Sequence, residues 1–251
     1  MRWILLLLWM MITSPLRTAH ADVEAPSVAE QYDLGLKFLR RGYYVKAMEQ
    51  FNRIRNYHRD DPYAVLAELA IADLYYEKGE WDQARLAYMD FQRSHPRHEE
   101  LDYVVYRIGM SLYRKAPKIS ARDQIWTRQT VNQWTGYGTR FPDSEYREEV
   151  EEMLFECQER LAKKELVIAR FYEGRDAWKA VQGRTEGLLH GWPSSEYIPE
   201  ALELLAQAQA WQGESEAARA TQAKLVEIDP SLGAELGARI DKIESALLDT
   251  D

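Results

Sequence analysis

The feature that most restricts this chain is a series of residue kinds that recurs at fixed offsets. Gly35 is followed by Phe38, Gly42, Ala47, Phe51 and Ile54. Ala72 is followed at the same offsets by Tyr75, Gly79, Ala84, Tyr88 and Phe91, and then by Pro96. Apolar residues around both series fall at helical spacing, so each unit reads as two helices. Small residues at Gly35, Ala47, Ala72 and Ala84 suit the crossing of two antiparallel helices, and the aromatics fill the space beside it. Gly42 and Gly79 suit a left-handed turn between the helices, and Pro96 stops the second one. A two-helix unit cannot bury its apolar face alone, so such units must stack.

This spacing is that of the tetratricopeptide repeat, and it continues with variations. A third unit carries Gly109, Leu112, Thr130, Trp134, Tyr137 and Pro142, with nine extra residues between its helices that place an extended loop at Ala116 to Ser120. A fourth opens with a long amphipathic stretch from Glu145 to Tyr172, with Val150, Met153, Leu154, Cys157, Leu161 and Leu166 as its core stripe, and continues through Ala180 to Pro193. Gly213, Ala218, Leu225 and Pro230 mark a fifth. The expected fold class is all-α: a right-handed tetratricopeptide solenoid of about five helix-turn-helix units plus a C-terminal capping helix. Its expected divisions are a signal peptide at 1–21, a linker at 22–30, repeats 1–3 at 31–143, repeats 4–5 at 144–230, and a cap with an acidic tail at 231–251.

The leader is read from Arg2, the apolar run Trp3 to Ile12, Pro15, and the small-residue end Ala19-His20-Ala21. That order predicts cleavage before Asp22, and the run is too short to span a bilayer. The expected location is the periplasm, peripheral to the inner face of the outer membrane, with membrane association only through partners. The one cysteine, Cys157, cannot form an intramolecular disulfide and stands far from the cleavage site, so no lipid-modified N-terminus is expected. Losing Arg2 and Arg17 takes the net charge from −9 to −11, an acidity that speaks against nucleic-acid binding.

Chemistry is sparse. Gly136 and Gly138 lack the third glycine and the preceding strand of a phosphate loop, and no nucleophile elbow is present. His95 and His98 offer two imidazoles, but Pro96 puts them on a turn instead of one helical face, so no metal site is expected. The acids Glu148, Glu149, Glu151 and Glu152 read as the wet face of a helix, and Cys157 as a buried packing residue. No enzyme activity and no cofactor are expected. What remains is surface. Placing Gly35, Ala72 and Gly109 in register puts Tyr32, Leu36 and Arg40 from unit one on a concave groove, with Asp73, Tyr76 and Glu77 from unit two. Tyr106, Met110, Tyr113 and Arg114 join them from unit three. Aromatics flanked by arginines suit an extended peptide with aromatic side chains and a free carboxylate. The alternative is that these tyrosines pack repeat on repeat. Arg184 follows Ala180 by one turn, where a repeat ordinarily places an aromatic; it either meets a partner's carboxylate or reaches solvent or Glu186.

Several motifs lie outside the general repeat pattern: Arg160-Leu161-Ala162-Lys163-Lys164-Glu165, Ala169-Arg170-Phe171-Tyr172, and Ala177-Trp178-Lys179-Ala180 with Arg184. With Gly42-Tyr43-Tyr44-Val45-Lys46-Ala47, Asp61-Pro62-Tyr63-Ala64, His95-Pro96-Arg97-His98 and Phe141-Pro142-Asp143-Ser144-Glu145-Tyr146, they make Gln31 to Pro230 resemble the BamD family of outer-membrane β-barrel assembly lipoproteins. The resemblance implies a scaffold and receptor whose first repeats receive C-terminal segments of unfolded outer-membrane proteins. Its last repeats, Arg184 included, would hold the periplasmic domains of the barrel-forming assembly partner. Two departures stand out: the family's N-terminal lipid-bearing cysteine is missing, and its usual glycine before the Ala-Trp pair is Asp176, a change for which Gly174 is expected to compensate. The other classes weighed are a periplasmic tetratricopeptide adaptor of envelope constriction, which ordinarily carries an N-terminal coiled coil, and a helical-solenoid lytic enzyme, which would need a catalytic domain.

Overall fold

Units one, two, four and five each close because the first helix ends on a residue in the left-handed region. In the computed structural model, which describes residues 26–249, α1 (Val28–Arg40) and α2 (Tyr44–Tyr57) are joined through Gly42 at φ 73°. The Gly42 N–H donates to the Leu39 carbonyl at 2.9 Å and the Tyr43 N–H to that of Phe38 at 2.9 Å, satisfying carbonyls the helix end would otherwise leave bare. The same pair of bonds forms at Gly79, between α3 (Pro62–Glu77) and α4 (Trp81–Ser94), and at Gly213, between α10 (Ile198–Trp211) and α11 (Ser215–Ile228). Between α8 (Arg147–Glu173) and α9 (Trp178–Gly191) it is Asp176 that takes the left-handed position, at φ 54°, donating to Glu173 while Ala177 donates to Tyr172. Gly174, expected to compensate, stays at φ −63°. The turn is therefore unaltered, and an aspartate carries it.

Unit three departs as its spacing foretold. After α5 (Leu101–Lys115) the chain is irregular until α6 (Ile125–Trp134), and the buried Gln124 side chain ties the loop down by donating to the Ile119 carbonyl at 2.8 Å. Gly136, at φ 78°, then separates the short α7 (Tyr137–Arg140). The solenoid ends in α12 (Pro230–Leu248), started by the Asp229 side chain accepting from the Leu232 N–H at 2.9 Å. At the other end α1 begins at Val28, inside the expected linker 22–30, because Ser27 and Glu30 cap each other's backbone N–H groups. The signal peptide expected at 1–21 lies outside the described residues, as do the last two residues of the tail.

Helices pack against their neighbours in order from α1 to α6, α6 and α7 then both pack on α8, the order resumes from α8 to α12, and the core is a chain of clusters. Tyr75 packs against the first two clusters, and Leu189 and Ile198 against the last two. Ala47, Phe51 and Ile54 are buried on α2, and Ala84, Tyr88 and Phe91 at matching positions on α4. Thr130, Trp134 and Tyr137 continue the series in unit three, and Val181, Thr185 and Leu188 on α9. Unit four's register thus falls on Val181, one residue after the expected Ala180. The crossings need their small residues: a Cβ on Gly109 would lie 2.1 Å from Trp134 Nε1, and one on Gly35 would lie 2.5 Å from Phe51 Cε1. The described residues form an all-α tetratricopeptide solenoid of five units and a cap.

Candidate binding face

Sequence register places α1, α3, α5 and α8, the first helices of the units, side by side, and their facing side chains form a polar ladder. Asp73 on α3 is its centre. Its carboxylate accepts from the Tyr88 hydroxyl at 2.6 Å and from the Tyr103 hydroxyl at 2.6 Å, so one acid joins units two and three. Arg107 donates from Nε to the Tyr103 hydroxyl at 2.9 Å, and its guanidinium lies 4.3 Å from the centre of the Tyr76 ring. Burial pushes the Asp73 carboxyl above the ordinary range, while the two tyrosines and Arg107 pull it back. A carboxylate at this depth is tolerable because every partner is a donor.

Two rungs then join α5 to α8. The Tyr106 hydroxyl donates to Glu149 at 3.0 Å and the Tyr113 hydroxyl to Glu156 at 2.5 Å. The rungs stand seven residues apart on both helices. Desolvation, followed by the facing carboxylate, pushes each phenol up to about 12. Tyr106 also stacks on Tyr146 with ring centres 4.5 Å apart, and the buried Arg160 holds Glu156 at 2.6 Å while donating to the Pro117 carbonyl at 3.2 Å. Together these contacts fix α8 against unit three and its long loop.

The expected groove residues therefore divide. Arg40, Glu77 and Arg114 are exposed, and Tyr32, Leu36, Asp73 and Tyr113 are half-buried. Tyr76 and Tyr106 are each 7% exposed and Met110 is 3% exposed, which makes them core. Expecting these three on an open trough is corrected: neighbouring first helices lie close enough for their side chains to fill the space between units, the packing alternative of the sequence. Tyr32 packs on Phe51 and Tyr63, with ring centres 5.7 and 5.4 Å away. The Tyr76 hydroxyl is buried and meets no acceptor among the described residues, and Arg114 stands next to it, held more firmly charged by that neighbour. What solvent meets is a strip of half-buried aromatic edges lined by Arg40, Glu77 and Arg114.

Register reasoning missed Tyr88, Tyr103, Arg107, Glu149, Glu156 and Arg160. Tyr103 and Arg107 are one helical turn apart, a local signal, whereas the Tyr–Glu rungs bridge 43 residues and leave none. The repeat register of Arg184 is also corrected. With the core register on Val181, the aromatic position falls on Thr185, and Arg184 lies on the wet side of α9 with its side chain 44% exposed. Its guanidinium donates to Glu165 on α8 at 3.0 Å, while the expected acid, Glu186, accepts from Gln182. His95 faces Glu68 at 2.7 Å, and no cluster able to hold a metal exists among the described residues. No helix among them is long and apolar enough to cross a membrane.

Against known proteins the chain is similar to outer membrane protein assembly factor BamD of Neisseria gonorrhoeae, at 25% identity over 200 residues that cover 75% of each chain. It is similar to the factor of the same name in Xylella fastidiosa strain 9a5c, at 28% identity over 215 residues, 81% of this chain and 73% of that one. Among solved structures it is similar to the TPR2AB domain of yeast Sti1 in its pHSP90 complex, with a TM-score of 0.43 and 17% identity, covering 88% of this chain and 86% of that one. The model of the family described as YfiO, outer membrane lipoprotein, matches residues 24–225, nearly all of the solenoid just described, and the chain belongs to that family.

Proposed function

We propose that this protein is a non-enzymatic scaffold and receptor in the assembly of outer-membrane β-barrel proteins. In this reading the concave strip on units one to three receives the C-terminal segments of unfolded clients, and units four and five hold the periplasmic domains of the barrel-forming partner. The observation that carries it is the match, through 24–225, to a family whose relatives bear the name outer membrane protein assembly factor. The face described above is compatible with that role: Tyr32 and Tyr113 offer half-buried ring edges and Arg40 and Arg114 offer exposed cations, which together suit a peptide ending in an aromatic residue and a carboxylate. A periplasmic location, peripheral to the outer membrane, belongs to the same proposal.

Affinity purification of the protein from its own envelope tests it. A barrel-assembly protein among the captured partners is the expected result, and division proteins in its place would favour a constriction adaptor. Peptide binding tests the strip. Tyr113→Ala with Arg114→Glu should weaken binding of outer-membrane-protein C-terminal peptides, each change by on the order of 1–3 kcal/mol. Unchanged affinity in the folded double variant would refute the strip. At the other end Arg184→Glu places a second acid beside Glu165 and should abolish partner capture with helicity retained; unaltered capture would return Arg184 to the surface.

A further inference from the structure

The inter-helix turns of units one, two, four and five share one backbone geometry, so their side chains can be compared position by position. One and three residues after the left-handed residue stand Glu80 and Asp82 in unit two, Ala177 and Lys179 in unit four, and Glu214 and Glu216 in unit five. In unit one the same positions hold Tyr43 and Val45, which are 54% and 73% exposed. Around them stand Lys37, Arg40, Arg41 and Lys46, all exposed, with no acid in the sequence between Asp33 and Glu49. None of these four cations enters an ion pair among the described residues, whereas in unit two Lys78 pairs with Glu80 and Asp82 with Lys115. The Lys46 ammonium rests 5.7 Å from the rings of both Phe38 and Tyr43. Nothing lies within 4 Å of where a Gly42 Cβ would be, so the tip of the turn is open.

We propose that this first turn is a membrane-surface contact that seats on an anionic phospholipid bilayer. Four unpaired cations on a chain of net charge −9 are complementary to such a surface. A tyrosine at the tip is the residue kind that settles among headgroups, and the valine beside it adds apolar area, with the long cationic side chains reaching to phosphates at the sides. Packing does not account for Val45, because the equivalent positions in units two, four and five face water and carry the charged residues Asp82, Lys179 and Glu216. The contact would orient the solenoid with unit one toward the bilayer, so membrane association would not come through partners alone. It shares Arg40 with the peptide strip above, but it is tested apart from the assembly role, since purified protein and lipid suffice.

The chain from residue 22 on, which holds all twelve described helices, is floated with vesicles of phosphatidylcholine alone and with phosphatidylglycerol added. Binding is expected to the anionic vesicles at low salt, with release at high salt. Each cation near such a surface is worth about fivefold in partition, so Arg41→Glu with Lys46→Glu should reduce it at least about 25-fold. Val45→Asp, with every cation kept, should reduce it at least about tenfold through the lost apolar contact and the added negative charge. Lys78→Glu, at the matching turn of unit two, should leave it unchanged. Absence of binding to anionic vesicles overturns the proposal, as does equal binding to neutral ones. Undiminished binding by the folded double variant overturns it too, and so does a partition indifferent to Val45→Asp but competed away by polyglutamate, which would mark an acidic protein as the occupant.

Discussion

Asp176→Gly should stabilise this protein, although it removes a side chain. Asp176 sits at φ 54° and makes the same two closing hydrogen bonds that Gly42, Gly79 and Gly213 make at φ 73°, 77° and 77°. Holding an L-residue in the left-handed region costs roughly 1–2 kcal/mol, somewhat less for aspartate. Glycine gives back part of that gain through the greater freedom of its unfolded chain, about 0.5–1 kcal/mol. The exposed Asp176 side chain has no hydrogen bond to lose among the described residues, so the net gain is about 0.5–1 kcal/mol. For a chain of this size that is about 1–4 °C in Tm. Stacked repeats need not melt as one unit, so thermal unfolding by circular dichroism should be paired with hydrogen exchange at Asp176 and Ala177, where protection should rise. The mirror variant Gly79→Asp should lower Tm, and Asp176→Asn should change it little, since asparagine tolerates the same region. A Tm for Asp176→Gly at or below that of the parent, with Gly79→Asp destabilising as expected, would refute the reasoning and assign the aspartate side chain a stabilising contact.

Gly109→Ala should cost about 1–3 kcal/mol in denaturant melts, because its Cβ would meet Trp134 at 2.1 Å, whereas Gly187→Ala, with nothing within 4 Å on α9, should gain about 0.5–1 kcal/mol. Asp73→Ala strands the Tyr88 and Tyr103 hydroxyls and should cost about 2–4 kcal/mol by urea melting, and Asp73→Asn, which keeps an acceptor, should cost less. Burial pushes the Cys157 thiol up to about 11, so a thiol reagent at mildly alkaline pH should label it only after unfolding. The Tyr106 and Tyr113 phenols are raised from 10 to about 12, so their contribution to stability is whole below pH 10 and is lost as pH rises through 12; phenolate absorbance should show them ionising only as the helices melt.

The helices were legible wherever their chemistry is local. Gly42 and Gly79 announced turns because few other residues adopt that backbone, and the nine extra residues of unit three announced a loop. The start of α1 was equally local, in the Ser27 and Glu30 capping box, and was overlooked because the first apolar repeat residue stands further on. Unit four was misread by one residue. Alanines at Ala177 and Ala180 look like the small crossing residue of earlier units, yet Val181 occupies that position, and one residue rotates every side chain by about 100° around the helix. That rotation alone moved Arg184 from a supposed core position, where a cation would need explaining, to the wet side, where Glu165 partners it.

The binding face was legible only in part, for a different reason. Register says which residues of α1, α3 and α5 point the same way, but not how closely those helices approach, and that distance decides whether a tyrosine lines a trough or fills a seam. Here α5 and α8 lie close enough for Tyr106 to reach Glu149 and for Tyr113 to reach Glu156, so the rings are spent on joining units. The same satisfaction limits what a ligand can gain. An incoming carboxylate would find Arg107 already turned to Tyr103, and Arg160 already held by Glu156. Arg40 and Arg114 are in no ion pair among the described residues, and the Tyr76 hydroxyl, beside Arg114, meets no acceptor among them. A carboxylate seated on Arg114 reaches Tyr76 only where the seam opens over it, and there it would satisfy a donor the free protein leaves buried without an acceptor, which costs on the order of 1–3 kcal/mol until it is met. Tyr76→Phe removes that donor and keeps the ring, so it should leave the free protein as stable or slightly more so, while weakening peptides that end in a carboxylate and leaving their amidated counterparts alone.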